Sequence, residues 1–262
     1  HFNCQSQISA TNTLLCTGQT ATLTAPVNQL TTTLASDNSQ RGSMFNLVAI
    51  NTVTINGFET NLNATGIPSV QIYYKAGTHA GFENSAGSWT LIGTTTLIAQ
   101  PIGNLTSIPI PVNVTIPAGQ TYAFYVTVSD NVSALRYTNG TLQGAVYSSD
   151  ANLQYLQGVG IGYPFTGVPN TPRIWNGKIK YTTATPLTYT WSTGANTSTI
   201  AVSPTVTTTY TVAVNTATNV SSISVSVSPL PTVSVNSGSI CSGNSFSIIP
   251  SGANTYTIQG GS

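Results

Sequence analysis

The sequence predicts an all-β protein, and three observations predict it. Apolar and polar residues alternate with period two through most of the chain, helical periodicity is nearly absent, and Gly, Pro, Asn and Asp interrupt the alternating runs every few residues. Short strands with frequent turn signals belong to sandwiches and barrels. Composition agrees. Hydrophobic residues make up 40% of the chain and charged residues 4%, against about 25% charged in an average soluble domain. Disordered chains are poor in apolar residues and rich in charge, so this profile indicates a folded core under a neutral surface of Thr, Ser, Asn and Gly.

Taken in order, the clear strands are Ser43–Ile50, Val53–Leu62, Val70–Lys75, Trp89–Ile98, Ile108–Ile116 and Thr121–Val128. The last two are joined by Pro117-Ala118-Gly119-Gln120, whose Pro and Gly supply the φ values of a tight turn. Later strands are Ala134–Thr138, Ala145–Ser148, Ile174–Thr182, Leu187–Trp191, Ser198–Ser203, Thr208–Val214, Ser221–Ser228 and Thr232–Asn236.

Charge removes whole classes of function. The net charge is +1, and Arg41, Lys75, Arg136, Arg173, Lys178 and Lys180 are scattered. Nucleic-acid binding needs a basic footprint that neutralises several phosphates, and only Lys178 and Lys180 sit together. No apolar run reaches the ~20 residues that span a bilayer. The chain opens at His1, which fits a mature product whose signal peptide has been removed.

An internal repeat sets the expected domain organisation. Leu15-Cys16-Thr17-Gly18-Gln19-Thr20 aligns with Ile240-Cys241-Ser242-Gly243-Asn244-Ser245, and each copy leads into an alternating strand. Thr255-Tyr256-Thr257-Ile258 follows the second copy closely, whereas the matching Thr188-Tyr189-Thr190-Trp191 follows the first only after a long gap. Cys241 to Ile258 is 17 positions and Cys16 to Trp191 is 175, a difference of 158 residues. The expected organisation is one module formed by residues 1–26 and 185–229, interrupted by a β-sandwich domain at 27–184, with the first strands of a further module at 230–262. Insertion between neighbouring strands at a loop tip is well tolerated.

Thr188–Val214 (TYTWSTGANTSTIAVSPTVTTTYTVAV) and the segment from Leu230 through Ile240-Cys241-Ser242-Gly243 resemble tandem Ig-like or PKD-like repeats. Such repeats occur in large surface proteins of Bacteroidota exported by the type IX route. The resemblance covers about 1–26 and 185–262. The inserted region, with Ser36-Asp37-Asn38-Ser39-Gln40-Arg41-Gly42-Ser43-Met44-Phe45, is similar to β domains of the same kind of protein. The fold thus implied is an Ig-like sandwich interrupted by a jelly-roll-like β-sandwich, with Trp191 as the buried Trp of the Ig-like core. In the family, the Cys of the Cys-x-Gly stretch pairs late in its own module. No Cys stands near Asn219-Val220-Ser221 here, so the resemblance points to a Cys4–Cys16 disulfide, the alternative being two buried free thiols. Cys241 is expected to find its partner beyond the segment.

Other candidate sites are sparse. Trp89, Trp175 and Tyr73, with Tyr74, Tyr147, Tyr155 and Tyr163, can form a sugar-stacking platform, although most should pack in the core. His79 lies in a turn-like Ala76-Gly77-Thr78-His79-Ala80-Gly81 stretch with Glu83 nearby, and reads as a solvated loop residue rather than a base. Asp37-Asn38, Asp130-Asn131 and Asp150-Ala151-Asn152 can supply oxygen ligands for Ca²⁺, or serve as ordinary turn residues. No paired-carboxylate, nucleophile-elbow or phosphate-loop motif stands out. The expectation is a non-enzymatic extracellular structural or adhesive protein, a stalk or fibre subunit with a β-sandwich head, whose partners are further copies, neighbouring modules or glycans. Its alternatives are a carbohydrate-binding module and an accessory region of a secreted hydrolase.

Overall fold

The structure is a computed structural model that describes residues 7–36, 38–64, 66–229 and 232–257. In chain order the strands are β1 (Ser9–Ala10), β2 (Leu14–Cys16), β3 (Ala21–Thr24), β4 (Gln29–Thr31), β5 (Asn38–Gln40), β6 (Gly42–Ala49), β7 (Val53–Asn63), β8 (Ser69–Ala76), β9 (Thr90–Thr96), β10 (Leu105–Ser107), β11 (Val114–Ile116) and β12 (Thr121–Val128). They continue with β13 (Ala134–Asn139), β14 (Val146–Ser149), β15 (Leu153–Gly162), β16 (Thr166–Trp175), β17 (Gly177–Thr183), β18 (Tyr189–Trp191), β19 (Thr199–Val202), β20 (Thr208–Val214), β21 (Thr216–Ser228), β22 (Ser234–Val235) and β23 (Pro250–Ser251). Among the described residues the single helical element is a 3-10 turn at Ala86–Ser88. The protein is all-β. Two compact units divide the chain: unit 1 holds Val27–Leu187, and unit 2 holds Gln7–Pro26 together with the residues from Thr188 onward.

Unit 1 is a sandwich made from one folded-over antiparallel sheet, ordered β4-β17-β7-β13-β16-β15-β6-β12-β8-β9, with β10 and β11 added on β7. The corner lies in β7. Its Val53–Thr60 stretch pairs with β17, while Leu62 and Asn63 pair with β13, the way strands turn from one layer into the other. Alternation places Phe45 and Leu47 of β6, Ile72 of β8 and Phe124 and Val126 of β12 against Ile55 and Phe58 of β7 and Ile179 of β17. Aromatic rings fill the middle, with Phe45 stacked on Trp175 at 4.8 Å and Phe58 edge-on to Phe124 at 5.2 Å. Fully burying one such ring contributes roughly 1.5–3 kcal/mol. β6 and β12 bury their other face as well, in a second cluster containing Met44, Ala123 and Tyr125.

Local chemistry explains where the strands differ from expectation. Ile108–Ile116 is not one strand: Pro109 and Pro111 lack the N–H that a ladder needs, and only β10 and β11 survive at its flanks. Ile174–Thr182 breaks at Asn176, whose side chain is buried and donates to Thr138 Oγ1 at 2.9 Å. Gly177 follows because a Cβ there would lie 2.2 Å from the Trp175 ring.

Unit 2 sets a three-stranded sheet, β1-β3-β19, with a four-stranded sheet, β18-β20-β21-β2. Pairing is antiparallel except between β2 and β21, which run parallel from Leu14↔Ser226 to Cys16↔Ser228. Period-two alternation turns Ala21, Leu23, Val202, Tyr210, Val212, Val225 and Trp191 into one core with Ile8 and Leu15. The Trp191 indole N–H donates to Thr197 O at 2.8 Å, so its polar end is satisfied inside that core. A small hairpin, β22–β23, pairs Ser234 with Ser251 and Val235 with Pro250.

Candidate functional site

The second cluster of unit 1 gathers the aromatic residues into one surface. Alternation along β8 puts Val70, Ile72 and Tyr74 toward the main core, and Gln71, Tyr73 and Lys75 on the opposite face of the sheet. There Tyr73 meets Tyr125 at 5.7 Å and Phe165 at 5.0 Å, and Trp89 meets Phe165 at 5.9 Å. The residues Gly77–Trp89 between β8 and β9 fold over this face. Trp89 donates its indole N–H to Phe82 O at 3.0 Å. The Asn84 amide nitrogen donates to the carbonyls of Phe165 and Gly167 at 3.0 and 3.2 Å, tying the loop to the β15–β16 turn.

His79 is the loop's anchor, not a solvated residue. It is 1% exposed. Its backbone N–H donates to Asn46 Oδ1 at 3.0 Å, Asn46 Nδ2 donates to Thr78 Oγ1 at 2.9 Å, and its Nδ1 lies 3.3 Å from Glu83 Oε1. Burial lowers the imidazole's pKa, and the Glu83 carboxylate only partly offsets it. Lys75 stands over the Phe82 ring at 4.1 Å and donates to Thr78 O at 2.8 Å. Asn46 is 33 positions away, and no local pattern in the Gly-Thr-His-Ala-Gly stretch announces this contact.

The accessible part of the cluster is its rim. Tyr73 and Tyr163 are half-buried, and burial together with the neighbouring Tyr163 raises the Tyr73 hydroxyl's pKa. The Tyr73 hydroxyl donates to Gln71 Oε1 at 2.8 Å, and the Arg41 guanidinium stands over the Tyr163 ring at 5.0 Å. Arg41 Nε is buried and has no hydrogen-bond partner among the described residues. Two ring faces, an amide and a guanidinium thus share one patch, a set suited to stacking and hydrogen-bonding a hydroxyl-rich ligand.

Of the three expected stacking residues, the structure brings two together. Tyr73 and Trp89 share this cluster, with Trp89 sealed beneath the loop. Trp175 is fully buried in the main core, its indole donating to Thr60 Oγ1 at 3.0 Å, so it offers no face to a ligand. Tyr155 is likewise buried, its hydroxyl accepting the Trp175 N–H at 2.7 Å. Arg41 and Gln71 belong to the patch but were not singled out in the sequence. The i, i+2 spacing of Gln71 and Tyr73 was the available signal.

Two of the aspartates offered as Ca²⁺ ligands, Asp130 and Asp150, are committed to turns. Asp130 Oδ1 accepts the N–H groups of Val132 and Ser133, and Oδ2 accepts that of Ser69. Burial pushes this carboxyl upward, but those bonds outweigh it and hold its pKa below the ordinary value. Asp150 Oδ1 accepts from Asn152 and Leu153, and Oδ2 accepts from the Tyr181 hydroxyl. Asp37 lies outside the described residues. Among those described, no group of three or more His, Cys, Asp or Glu is placed to hold a metal, and no helix is long and apolar enough to cross a membrane. On the other layer, a cleft of about 220 Å³ is lined by Asn56, Phe58, Ile108, Ile110 and Lys180. Lys180 is engaged there by Glu59 at 2.5 Å.

Cys16 and Cys241 are exposed and make no disulfide among the described residues. Cys4 lies outside the described residues, so the Cys4–Cys16 bridge is carried forward as a proposal. Compared with known protein families the chain matches none, and it matches no characterised protein either.

Proposed function

We propose that this chain is part of an extracellular structural or adhesive surface protein, with unit 1 as a β-sandwich head and unit 2 as an Ig-like spacer. Modularity carries the reading. The seven strands of the sandwich in unit 2, with β2 parallel to β21 and Trp191 buried, support an Ig-like reading. A second Cys-x-Gly turn lies within the hairpin that follows this sandwich. The neutral, hydroxyl-rich surface opposes close packing of subunits with little like-charge repulsion. The residues after Pro229 present Ile240, Phe246, Ile248 and Ile249 to solvent, the kind of apolar surface that marks association. Light scattering on this chain and on a version cut at Pro229 tests the reading. Association of the longer form alone is expected. Equal monomeric masses, with Thr232–Thr257 folded in the longer form, would overturn self-association.

The Tyr73 patch favours a second reading, in which the head binds glycans. A glycan array probed with the full chain and with Tyr73→Ala separates the two. Binding that falls by about tenfold or more in the variant, the loss of one stacking contact of roughly 1–3 kcal/mol, supports glycan recognition. An array with no signal for either protein removes it.

A further inference from the structure

The hairpin that follows the sandwich of unit 2 repeats the opening of that sandwich residue by residue, but among the described residues no further strand covers it. Cys241 follows Cys16 by 225 positions (241 less 16), and the same offset carries one turn onto the other. The Gln19 N–H donates to Cys16 O at 3.0 Å with Gly18 at φ +89°, and the Asn244 N–H donates to Cys241 O at 3.1 Å with Gly243 at φ +89°. Only glycine takes that φ without strain. The offset also carries β1 (Ser9–Ala10) onto β22 (Ser234–Val235).

Applied to side chains, the offset is informative. Ile8, Leu15 and Leu23 are 6, 2 and 0% exposed, whereas their counterparts Val233, Ile240 and Ile248 are 55, 54 and 50% exposed. Ala21, also buried, corresponds to the exposed Phe246. These four positions, buried in the sandwich of unit 2, are thus apolar and exposed in the hairpin. None of these hairpin residues belongs to any of the three cores.

Backbone bonding shows which edge is open. In unit 2, the Thr11 N–H donates to Thr22 O at 3.0 Å, so Thr22 faces β1. The hairpin reproduces this with a side chain: Asn236 Nδ2 donates to Ser247 O at 2.8 Å, and its Oδ1 accepts the Ile249 N–H at 2.6 Å. The positions that correspond to Phe246 and Ile248 in the sandwich, Ala21 and Leu23, are the ones paired with β19, through Ile200↔Leu23 and Val202↔Ala21. Among the described residues, neither Phe246 nor Ile248 makes a backbone hydrogen bond.

We propose that Phe246–Ile249 is a strand-acceptor edge that takes, antiparallel, a partner strand with branched apolar residues at alternate positions, of which Thr199–Val202, with Ile200 and Val202, is this chain's own example. The acceptor supplies main-chain pairing, and the apolar face of Val233, Ile240, Phe246 and Ile248 receives the partner's alternate side chains. The proposal rests on the modular reading and deepens it by naming the partner's chemistry.

The test uses the full chain and a synthetic peptide spanning Asn196–Ser203, with hydrogen exchange as the readout. Addition of the peptide is expected to slow exchange at Phe246 and Ile248 by about tenfold or more at saturation. A peptide carrying Ile200→Asp and Val202→Asp, or the protein variant Ile248→Asp, is expected to abolish that protection. Because Ile248 lies outside the three cores, retention of both calorimetric transitions in the variant shows that it is folded. No protection at Phe246–Ile249 up to ~1 mM peptide, equal protection by the control peptide, or protection elsewhere only, would overturn the proposal. A monomer by light scattering bears on self-association alone, so the two failures are distinguishable.

Discussion

Leu23 and Trp191 stand far apart in the chain yet share one core, and their truncation should therefore weaken the same cooperative unit. Leu23 is fully buried on β3 between Ala10 and Ile200. Leu23→Ala removes the side chain and leaves a cavity, a loss of roughly 2–5 kcal/mol, and Trp191→Ala should cost roughly 3–5 kcal/mol. The sandwich of unit 2 has about 60 residues, for which each kcal/mol moves the midpoint by roughly 4–8 °C. Either substitution should thus lower its transition by ~10 °C or more. Trp175→Ala strips Phe45 of its stacked partner and leaves Thr60 Oγ1 unpaired, and should lower the transition of unit 1 instead. Scanning calorimetry can tell the transitions apart, because enthalpy scales at about 0.7 kcal/mol per residue. That gives ~40 kcal/mol for unit 2 and ~110 kcal/mol for unit 1. A Leu23→Ala protein whose larger transition falls, or whose response differs in kind from that of Trp191→Ala, would refute the division into these two cores.

Two further predictions concern the loop and the thiols. His79 is held neutral by burial, so the unfolded chain takes up its proton first. The anchor's contribution is full above about pH 6.5, the ordinary imidazole value, and is lost as pH falls below it toward the lowered folded value. Unit 1 should lose stability as pH falls below about 6.5, and His79→Gln should flatten that slope; an unchanged slope in the variant would reject the assignment. Peptide mapping of the oxidised, unreduced protein should find the peptides of Cys4 and Cys16 linked. Free thiol at both positions would dismiss the bridge.

Much of the fold was legible, because alternation reports directly on a strand with one wet face. Thr121–Val128 coincides with β12, and Val53–Leu62 falls one residue short of β7. The short β4, β5 and β10 were not legible, nor were β15 and the first part of β16. Gly158, Gly160, Gly162, Pro164 and Pro169 mark turns by every local rule, yet β15 sits between β6 and β16, where pairing on both edges overrides propensity. The site was less legible for a related reason. Alternation says that Tyr73, Trp89 and Trp175 each choose a face, but in a sheet buried on both faces it cannot say which face reaches solvent. His79 carried no sign of burial because its partner Asn46 comes from a different strand.

The parallel pairing of β2 with β21 gives unit 2 a mechanical character. β2 lies near the front of the unit's first segment and β21 near the close of its sandwich, joined by their ladder and by the flanking bonds Ser226 N–H to Thr13 O at 2.8 Å and Thr17 N–H to Ser228 O at 3.3 Å. Tension applied to the chain before β2 and after β21 pulls these two strands in opposite directions along their common axis. The bonds between them are then strained together, in shear, instead of opening one after another like a zipper. Unit 1 enters and leaves the chain between β3 and β18, inside the stretch that this ladder brackets. While the ladder holds, the pull is carried by β2 and β21, and unit 1 is shielded from the load.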